Sequence, residues 1–216
     1  MKMCSFRDNN IPNNKVSIMF RHCREGADNR KNKIAKRTRY HMQHIMLCLG
    51  IGEGLRVSEY KYLNFADALG CEVVRISRAK HNGCREVVLT KETLLAISNF
   101  YDFLLSLGND ANSTWSQDVF RSSGSANKTI SESSFHRWIK NISQELFPKV
   151  KTITTHDLRR AFATNFYKTH SDINTLALIL GHRNINTTRI YIQTTKSDIQ
   201  QLMNQARYRE TRTSTG

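Results

Sequence analysis

The chain has 216 residues, of which 39% are apolar, and this is enough to bury the core of a single domain. Its 33 Lys and Arg residues outnumber its 18 Asp and Glu residues, and the formal net charge of +15 favours nucleic acid as the partner. The sequence shows no signal peptide, lipidation motif or long apolar run, so we expect no association with a membrane. Five cysteines without a Cys-x-x-Cys pair favour reduced thiols in an intracellular compartment.

The first 35 residues show no clear periodic pattern. Pro12 and the pairs Asn9-Asn10 and Asn13-Asn14 interrupt the apolar residues, so we predict an irregular basic arm over residues 1–35. The basic residues near its end are Arg30, Lys31, Lys33, Lys36, Arg37 and Arg39. Such a run is often only a solvated tail, but here we favour a contact with a nucleic-acid backbone.

A first core helix is predicted over residues 36–49, where apolar residues recur at helical spacing before two glycines. His41 and His44 could share one face of this helix and hold a metal ion. An ordinary helix surface is the simpler interpretation, so we predict no metal site at the two histidines.

The segment after this helix carries candidate charged residues. Arg56 and Glu59 stand three positions apart, and a weak surface ion pair is the simplest explanation. Residues 72–89 predict a β-hairpin with a turn at Asn82-Gly83. Lys80 lies close to that turn, where a lysine would ordinarily be solvated.

Helical patterns return over Glu92–Leu107 and Glu132–Phe147. The polar stretch Gly108–Asn127 between them is rich in Ser and Asn and predicts a surface loop. Phe135 and Trp138 are predicted to be core residues.

Another helix is predicted from Thr155 to about Lys168, with Thr154 or Thr155 as its N-cap. His156 and Arg159 lie on one face near its start, where free N–H groups and the helix dipole favour an anion. A proton-transferring imidazole beside a guanidinium that can bind two oxygens suits a phosphate. The alternative is a surface helix with a solvated Arg159.

An apolar helix is predicted over residues 173–180, and Gly181 suits the left-handed position at its end. His182 follows at the turn. A short helix over residues 184–192 would contain Tyr191, which by itself would be read as a half-buried core residue.

Three sequence motifs, in this order, resemble the tyrosine recombinase (phage integrase) family. The first, Glu53-Gly54-Leu55-Arg56-Val57-Ser58-Glu59, departs from the family's Thr-Gly-Leu-Arg-x-Ser-Glu at Glu53. The second, His156-Asp157-Leu158-Arg159-Arg160, matches His-x-Leu-Arg-Arg/His and is followed by Ala163-Thr164. The third is Leu180-Gly181-His182, with Thr187-Thr188 and then Tyr191 nine residues after the histidine. The resemblance covers residues 36–195 approximately.

The resemblance implies a set of catalytic residues, namely Arg56, Lys80, His156, Arg159, His182 and Tyr191. Tyr191 would attack a phosphodiester, giving a 3′-phosphotyrosyl bond and a free 5′ hydroxyl. Arg56 and Arg159, with His182 as a further donor, would neutralise the charge that develops on the phosphate. Lys80 would protonate the departing 5′ oxygen.

The remaining roles also come from the resemblance. His156 would assist proton transfer around the tyrosine, and Glu59 would steady the site from behind. The family carries its lysine in the hairpin, and counting back from Arg85 and Leu89 places it at Lys80, with Arg78 as the nearest competitor.

The resemblance implies a mainly helical (α+β) fold with a small antiparallel hairpin, as in the catalytic domains of tyrosine recombinases and type IB topoisomerases. We place the catalytic domain at residues 36–196 and a C-terminal helix and tail at residues 197–216. The family usually carries a helical DNA-clamping domain before the catalytic one. None is evident here, so we expect either a minimal protein or a fragment.

The expected function is that of a site-specific DNA recombinase. It would cleave and rejoin double-stranded DNA as a homotetramer on two synapsed sites, without metal, cofactor or ATP. One alternative is a nicking-closing enzyme like a type IB topoisomerase, and another is a DNA-binding regulator or architectural protein of the same fold that does not recombine. The C-terminal helix would pack on a neighbouring subunit or on its own domain.

Overall fold

The computed structural model describes residues 11–71, 73–78, 83–121, 129–182, 184 and 186–189. The helices are α1 (Asn13–Asp28), α2 (Ile34–Ile51), α3 (Phe65–Gly70), α4 (Lys91–Ser106), α5 (Ala111–Trp115), α6 (Glu132–Leu146), α7 (Thr155–His170), α8 (Ile173–Leu180) and α9 (Asn186–Arg189). A 3₁₀ helix spans Val57–Tyr62, and the strands are β1 (Val73–Arg78) and β2 (Gly83–Val88). The mainly helical fold with a small antiparallel hairpin is confirmed. In these ranges no helix is both long and apolar enough to cross a membrane.

Helix α2 lies at the centre of the core. Its consecutive residues Ile45, Met46 and Leu47 are all fully buried, so the helix is covered on every side at that point. Helices α1, α4 and α7 pack against it. The loop that follows α2 therefore begins inside the molecule, and this loop carries the first predicted motif.

Helix α1 corrects the expectation of an irregular arm. Residues 13–28 are helical, and Met19, Cys23 and Ala27 are buried, with Phe20 packed beside them. Their spacing of three and four places them on one face against α2. Of the asparagines that suggested a loop, Asn13 and Asn14 lie at the helix start, where polar residues and the preceding proline are tolerated.

The expectation of an ordinary surface is also wrong for His41, while His44 is half-buried. His41 is 9% exposed, and its ring stacks on Phe100 and Phe103 with centroids 5.3 and 4.7 Å apart. Burial lowers the pKa of each histidine to about 4. Both imidazoles are therefore neutral at physiological pH.

The predicted hairpin is confirmed, and its second strand begins at Gly83. Strands β1 and β2 pair antiparallel from Val73 with Val88 to Arg78 with Gly83. Gly83 therefore belongs to the strand and not to the turn, and the connecting residues 79–82 lie outside the described part of the chain.

The predicted helices at 92–107 and 132–147 are confirmed as α4 and α6. Phe135 is fully buried and Trp138 packs against the core, as expected. The stretch between them is only partly a surface loop, because Val119 and Phe120 are buried and α5 forms within it. Apolar burial here outweighs the polar composition of the surrounding residues.

The start of α7 and the end of α8 lie where their capping residues predict. The hydroxyl of Thr154 accepts from the Asp157 N–H, and the Asp157 carboxylate accepts from the Thr154 N–H, which closes a capping box. Gly181 ends α8 with φ 62° in the left-handed region. Both helix ends that carry the second and third motifs are thus locally determined.

Candidate active site

The buried guanidinium of Arg159 joins the three predicted motifs. Arg159 lies on α7 and is only 3% exposed, so the alternative of a solvated arginine is wrong. It donates to the carbonyl oxygen of Gly54 and, over 2.9 Å, to the carbonyl oxygen of Leu180. Its Nη2 also lies 2.9 Å from Nε2 of His182. The first motif, the second motif and the third motif therefore meet at one side chain.

Only glycine fits at position 54. Its φ of 62° lies in the left-handed region, and a Cβ at this position would overlap the ring of Phe162 on α7. The loop can therefore approach α7 closely enough for the Gly54 carbonyl to accept from Arg159 only because the side chain is absent.

Arg56 approaches the same carbonyl oxygen from a more open position. Its side chain is 40% exposed, and its Nη1 lies 3.5 Å from the carbonyl oxygen of Leu180. A carbonyl oxygen has two lone pairs and can accept from both Arg56 and Arg159. Two positive charges held side by side, one of them open to solvent, form a site suited to an anion such as a phosphate.

Glu59 lies behind Arg56 and is nearly inaccessible, with a side chain 4% exposed. Its Oε2 accepts from the backbone N–H of Arg56 at 2.7 Å, and both its oxygens accept from the guanidinium of Arg85 at 2.9 Å. Burial alone would raise the pKa of Glu59, but the hydrogen bonds and charge of Arg85 and the Arg56 N–H lower it below the ordinary value. Glu59 is therefore a carboxylate at neutral pH.

The carbonyl groups at the C-terminal end of α8 accept hydrogen bonds from three arginines, Arg56, Arg85 and Arg159. Arg85 Nη1 donates to the carbonyl oxygen of Ile179 at 2.5 Å, next to the Leu180 carbonyl that Arg56 and Arg159 share. The last carbonyl groups of a helix lack intrahelical partners and lie at the negative end of its dipole, so they favour cations. Sequence reasoning used Arg85 only to count positions and missed this contact.

The hydrogen bonds of His182 define its tautomer. Arginine can only donate, so Nε2 of His182 accepts from Arg159. The proton then lies on Nδ1, which donates to Oγ1 of Thr188 at 2.8 Å. To donate to a phosphate through Nε2, His182 must exchange its proton between the two nitrogens, and the hydroxyl of Thr188 can reverse its role to allow this.

His156 lies in the first turn of α7 and is exposed. Partial loss of solvation lowers its pKa, and the charges of Arg159 and Arg160 act in the same direction, while Asp157 opposes them. A neutral imidazole that can accept a proton is favoured here. The preceding residue, Thr155, is anchored to α6 by a hydrogen bond of 2.9 Å between its hydroxyl and Nδ1 of His136.

Glu53, where the family pattern has threonine, is buried and bound to the N-terminal end of α4. Its Oε1 accepts from the N–H of Thr90 at 2.8 Å and from the hydroxyl of Thr93 at 2.7 Å. Among the described residues, its Oε2 is buried and has no hydrogen-bond partner. Burial raises the pKa of Glu53 against the opposing effect of these hydrogen bonds.

Two of the predicted catalytic residues lie outside the described part of the chain. Lys80 falls in the connection between β1 and β2, and Tyr191 follows the last described residue of α9. Of the six, the structure brings Arg56, Arg159 and His182 together and places His156 one turn from Arg159 on the same helix.

The model of the phage integrase family matches residues 10–210, and the chain belongs to this family. Tyrosine recombinase XerD of Brucella suis biovar 1 (strain 1330) is 26% identical over 162 residues, which are 75% of this chain and 51% of that protein. XerD of Bradyrhizobium diazoefficiens is 26% identical over 193 residues, 87% of this chain and 59% of that protein. The chain thus spans little more than half the length of these relatives.

Solved structures of tyrosine recombinases share the fold. The crystal structure of XerA recombinase superposes with a TM-score of 0.70 at 22% identity, covering 96% of this chain and 66% of that one. The Tn1549 transposon integrase bound to transposon right end DNA gives 0.67 at 16% identity, covering 94% and 68%. XerH recombinase bound to its difH substrate gives 0.63 at 18% identity, covering 85% and 49%.

Proposed function

We propose that this chain carries out site-specific DNA recombination by cleaving and rejoining double-stranded DNA through a covalent bond to Tyr191. The observation that supports this most is the convergence of Arg56 and Arg159 on the Leu180 carbonyl oxygen, next to His182. The catalytic domain that the sequence predicts over residues 36–196 would also include helix α1, because Met19 and Cys23 lie in the same core.

The phosphate of the cleaved bond would bind where Arg56 is open to solvent. In the transition state, negative charge develops on the non-bridging oxygens, and two fixed guanidinium groups stabilise it more than they stabilise the ground state. Because Arg159 is already held by two carbonyl oxygens, little reorganisation is needed when the phosphate arrives. These two charges would do the work that a metal ion does in other phosphoryl-transfer sites.

The proton transfers would fall to the other matched residues. The hydroxyl of Tyr191 has to lose a proton as it attacks, and His156, exposed with a lowered pKa, is suited to accept it. Lys80 would protonate the departing 5′ oxygen. The phosphotyrosyl bond keeps the energy of the cleaved phosphodiester, so rejoining would need no ATP.

The partner is double-stranded DNA, which the net charge of +15 favours. XerH and the Tn1549 integrase, whose fold this chain shares, were solved as DNA complexes. Recombination joins strands from two duplexes, so we propose a homotetramer that holds two sites together. The protein would act in whichever compartment contains that DNA.

A strand-exchange assay tests this proposal. Two plasmids carry the DNA that flanks the gene, and recombinant products are detected by amplification across the new junction. Wild-type protein should give recombinants and the Tyr191→Phe variant none. Relaxation of supercoiled DNA without site-dependent exchange would indicate a topoisomerase-like enzyme instead, and binding without either reaction would indicate a regulator.

A further inference from the structure

The carboxylate of Glu59 lies between two arginines but is not shared equally. Its oxygens are 2.9 Å from the guanidinium nitrogens of Arg85, whereas its Oε1 is 3.6 Å from Nη1 of Arg56. The bond between Glu59 and the Arg56 backbone N–H, at 2.7 Å, fixes the backbone of Arg56 and not its charge. The carboxylate is therefore engaged by Arg85 in a bidentate pair, which is the stronger geometry.

The exposure of the three side chains also separates the pair of Arg85 and Glu59 from Arg56. The side chains of Arg85 and Glu59 are 7% and 4% exposed, and that of Arg56 is 40% exposed. The buried pair is neutral as a unit. The charge left over on the open side of the cluster belongs to Arg56, next to the positive charge of Arg159.

We infer that Arg85 is a positioning residue that holds Glu59 by its carboxylate, so that the guanidinium of Arg56 stays free to bind a phosphate. The inference rests on the proposed function, because the phosphate is the substrate group proposed there. Arg85 itself would not contact the phosphate or any other reacting atom. It acts through Glu59 on Arg56, and through the Ile179 carbonyl on the end of α8.

Removing Arg85 would leave Glu59 as a buried carboxylate without its main counter-charge. The guanidinium of Arg56, already 3.6 Å away, can replace it. An unpaired buried charge is strongly unfavourable, so Arg56 would turn towards Glu59 and away from the Leu180 carbonyl. The guanidinium of Arg56 would then still be present, but the carboxylate of Glu59 would neutralise its charge.

The experiment compares Arg85→Gln with wild type and with further variants in single-turnover cleavage of DNA carrying the native flanking sequence. Arg56→Ala and the double variant Arg56→Ala/Arg85→Gln form a double-mutant cycle. Arg75→Gln is the matched control, because Arg75 lies on the same hairpin and pairs with Glu86, but its side chain is 79% exposed. DNA is saturating, and each protein is first shown to be folded by circular dichroism at the assay temperature.

We expect Arg85→Gln to lower the cleavage rate about 10²-fold, as the loss of one charge-stabilising donor does, and Arg75→Gln to leave it unchanged. The double variant should be no slower than Arg56→Ala, since Arg85 acts through Arg56. Adding Glu59→Gln to Arg85→Gln should restore most of the lost rate. If the rate losses of Arg56→Ala and Arg85→Gln multiply in the double variant, the inference is wrong. It is also wrong if Arg85→Gln cleaves DNA as fast as wild type.

A crystal structure of the Arg85→Gln variant provides the readout that does not depend on activity. Arg56 Nη1 should move from 3.6 Å to within about 2.9 Å of a Glu59 oxygen. If Arg56 keeps its place, the inference is wrong even where wild-type protein cleaves DNA. If wild-type protein does not cleave, the proposed function fails and this structure still decides the inference. Should Arg85→Gln not fold, Arg85→Lys takes its place in both measurements. The loss of rate and the movement of Arg56 should then be in the same direction but smaller, because lysine keeps the charge and loses only the bidentate pair.

Discussion

Arg56 and Arg159 donate to the same acceptor, the carbonyl oxygen of Leu180, at 3.5 and 2.9 Å. The two residues come from different motifs and different elements, and only the end of α8 brings them together. Their charges are already oriented before any ligand binds. Such preorganisation is what makes an electrostatic site effective in catalysis, because no free energy is used to assemble it during the reaction.

Arg159→Lys should lower the rate of DNA cleavage about 10²- to 10³-fold at saturating DNA. Lysine keeps the charge but has a single donor group, so it cannot bind the Gly54 and Leu180 carbonyls, His182 and a phosphate together. Single-turnover kinetics measure the change. Arg137→Lys, the same substitution at an exposed position of α6, is the control and should match wild type. Wild-type rates in Arg159→Lys would show that only the charge is needed.

Gly54→Ala should destabilise the fold more than Gly108→Ala. Both glycines have φ in the left-handed region, 62° and 85°, so both substitutions add backbone strain of about 1–2 kcal/mol. Only at Gly54 would the new Cβ overlap another residue, the ring of Phe162, while nothing lies within 4 Å at Gly108. Overpacking typically adds about 1–3 kcal/mol. Urea denaturation gives both values, and equal losses would show that the loop can move away from Phe162.

Glu53→Gln should change how stability depends on pH. Burial raises the pKa of Glu53 in the folded state above its ordinary value of 4.5. The folded protein therefore binds this proton more tightly than the unfolded chain, and the associated stability is lost as pH rises from about 4.5 through the folded pKa. Glutamine does not titrate. The free energy of unfolding of Glu53→Gln relative to wild type should thus increase with pH, and a difference independent of pH would contradict a raised pKa of the Glu53 carboxyl.

The two histidines of α2, His41 and His44, predict a loss of stability in acid. Burial lowers the pKa of His41 and of His44 from 6.5 to about 4, so between these values the unfolded chain binds more protons than the folded one. Stability should fall as pH drops from 6.5 towards 4, by at most about 3 kcal/mol for each histidine.

The variant His41→Phe tests this acid sensitivity while keeping a ring against Phe100 and Phe103. Its unfolding free energy should lose less than that of wild type between pH 6.5 and pH 4. His170→Gln, at an exposed position, is the control and should follow the wild-type curve. A His41→Phe curve parallel to wild type would place the acid sensitivity in other groups.

The elements around the site were predictable because their signals are local. The capping residue Thr154 and the left-handed Gly181 define the start of α7 and the end of α8 within a few residues of each motif. Helix α1 was missed for a local reason as well, since its asparagines and Pro12 cluster at the helix start and hide the apolar spacing that follows.

The contacts that organise the cluster could not be predicted, because they depend on tertiary packing. Arg85 meets Glu59 and the Ile179 carbonyl across three elements, and no spacing in the sequence relates these positions. The burial of His41 likewise depends on α4, which supplies Phe100 and Phe103. A hydrogen bond between distant segments leaves no periodic signal in either one.

Covalent capture on DNA tests the central claim most directly. Wild-type protein is incubated with a supercoiled plasmid carrying the native flanking sequence, the reaction is stopped in detergent, and protein bound to DNA is isolated and mapped by mass spectrometry. We expect a 3′-phosphotyrosyl adduct at Tyr191 that is absent in Tyr191→Phe and about 10²- to 10³-fold slower to form in Arg159→Ala. An adduct at another residue, or none on DNA that contains the recombination site, would contradict it.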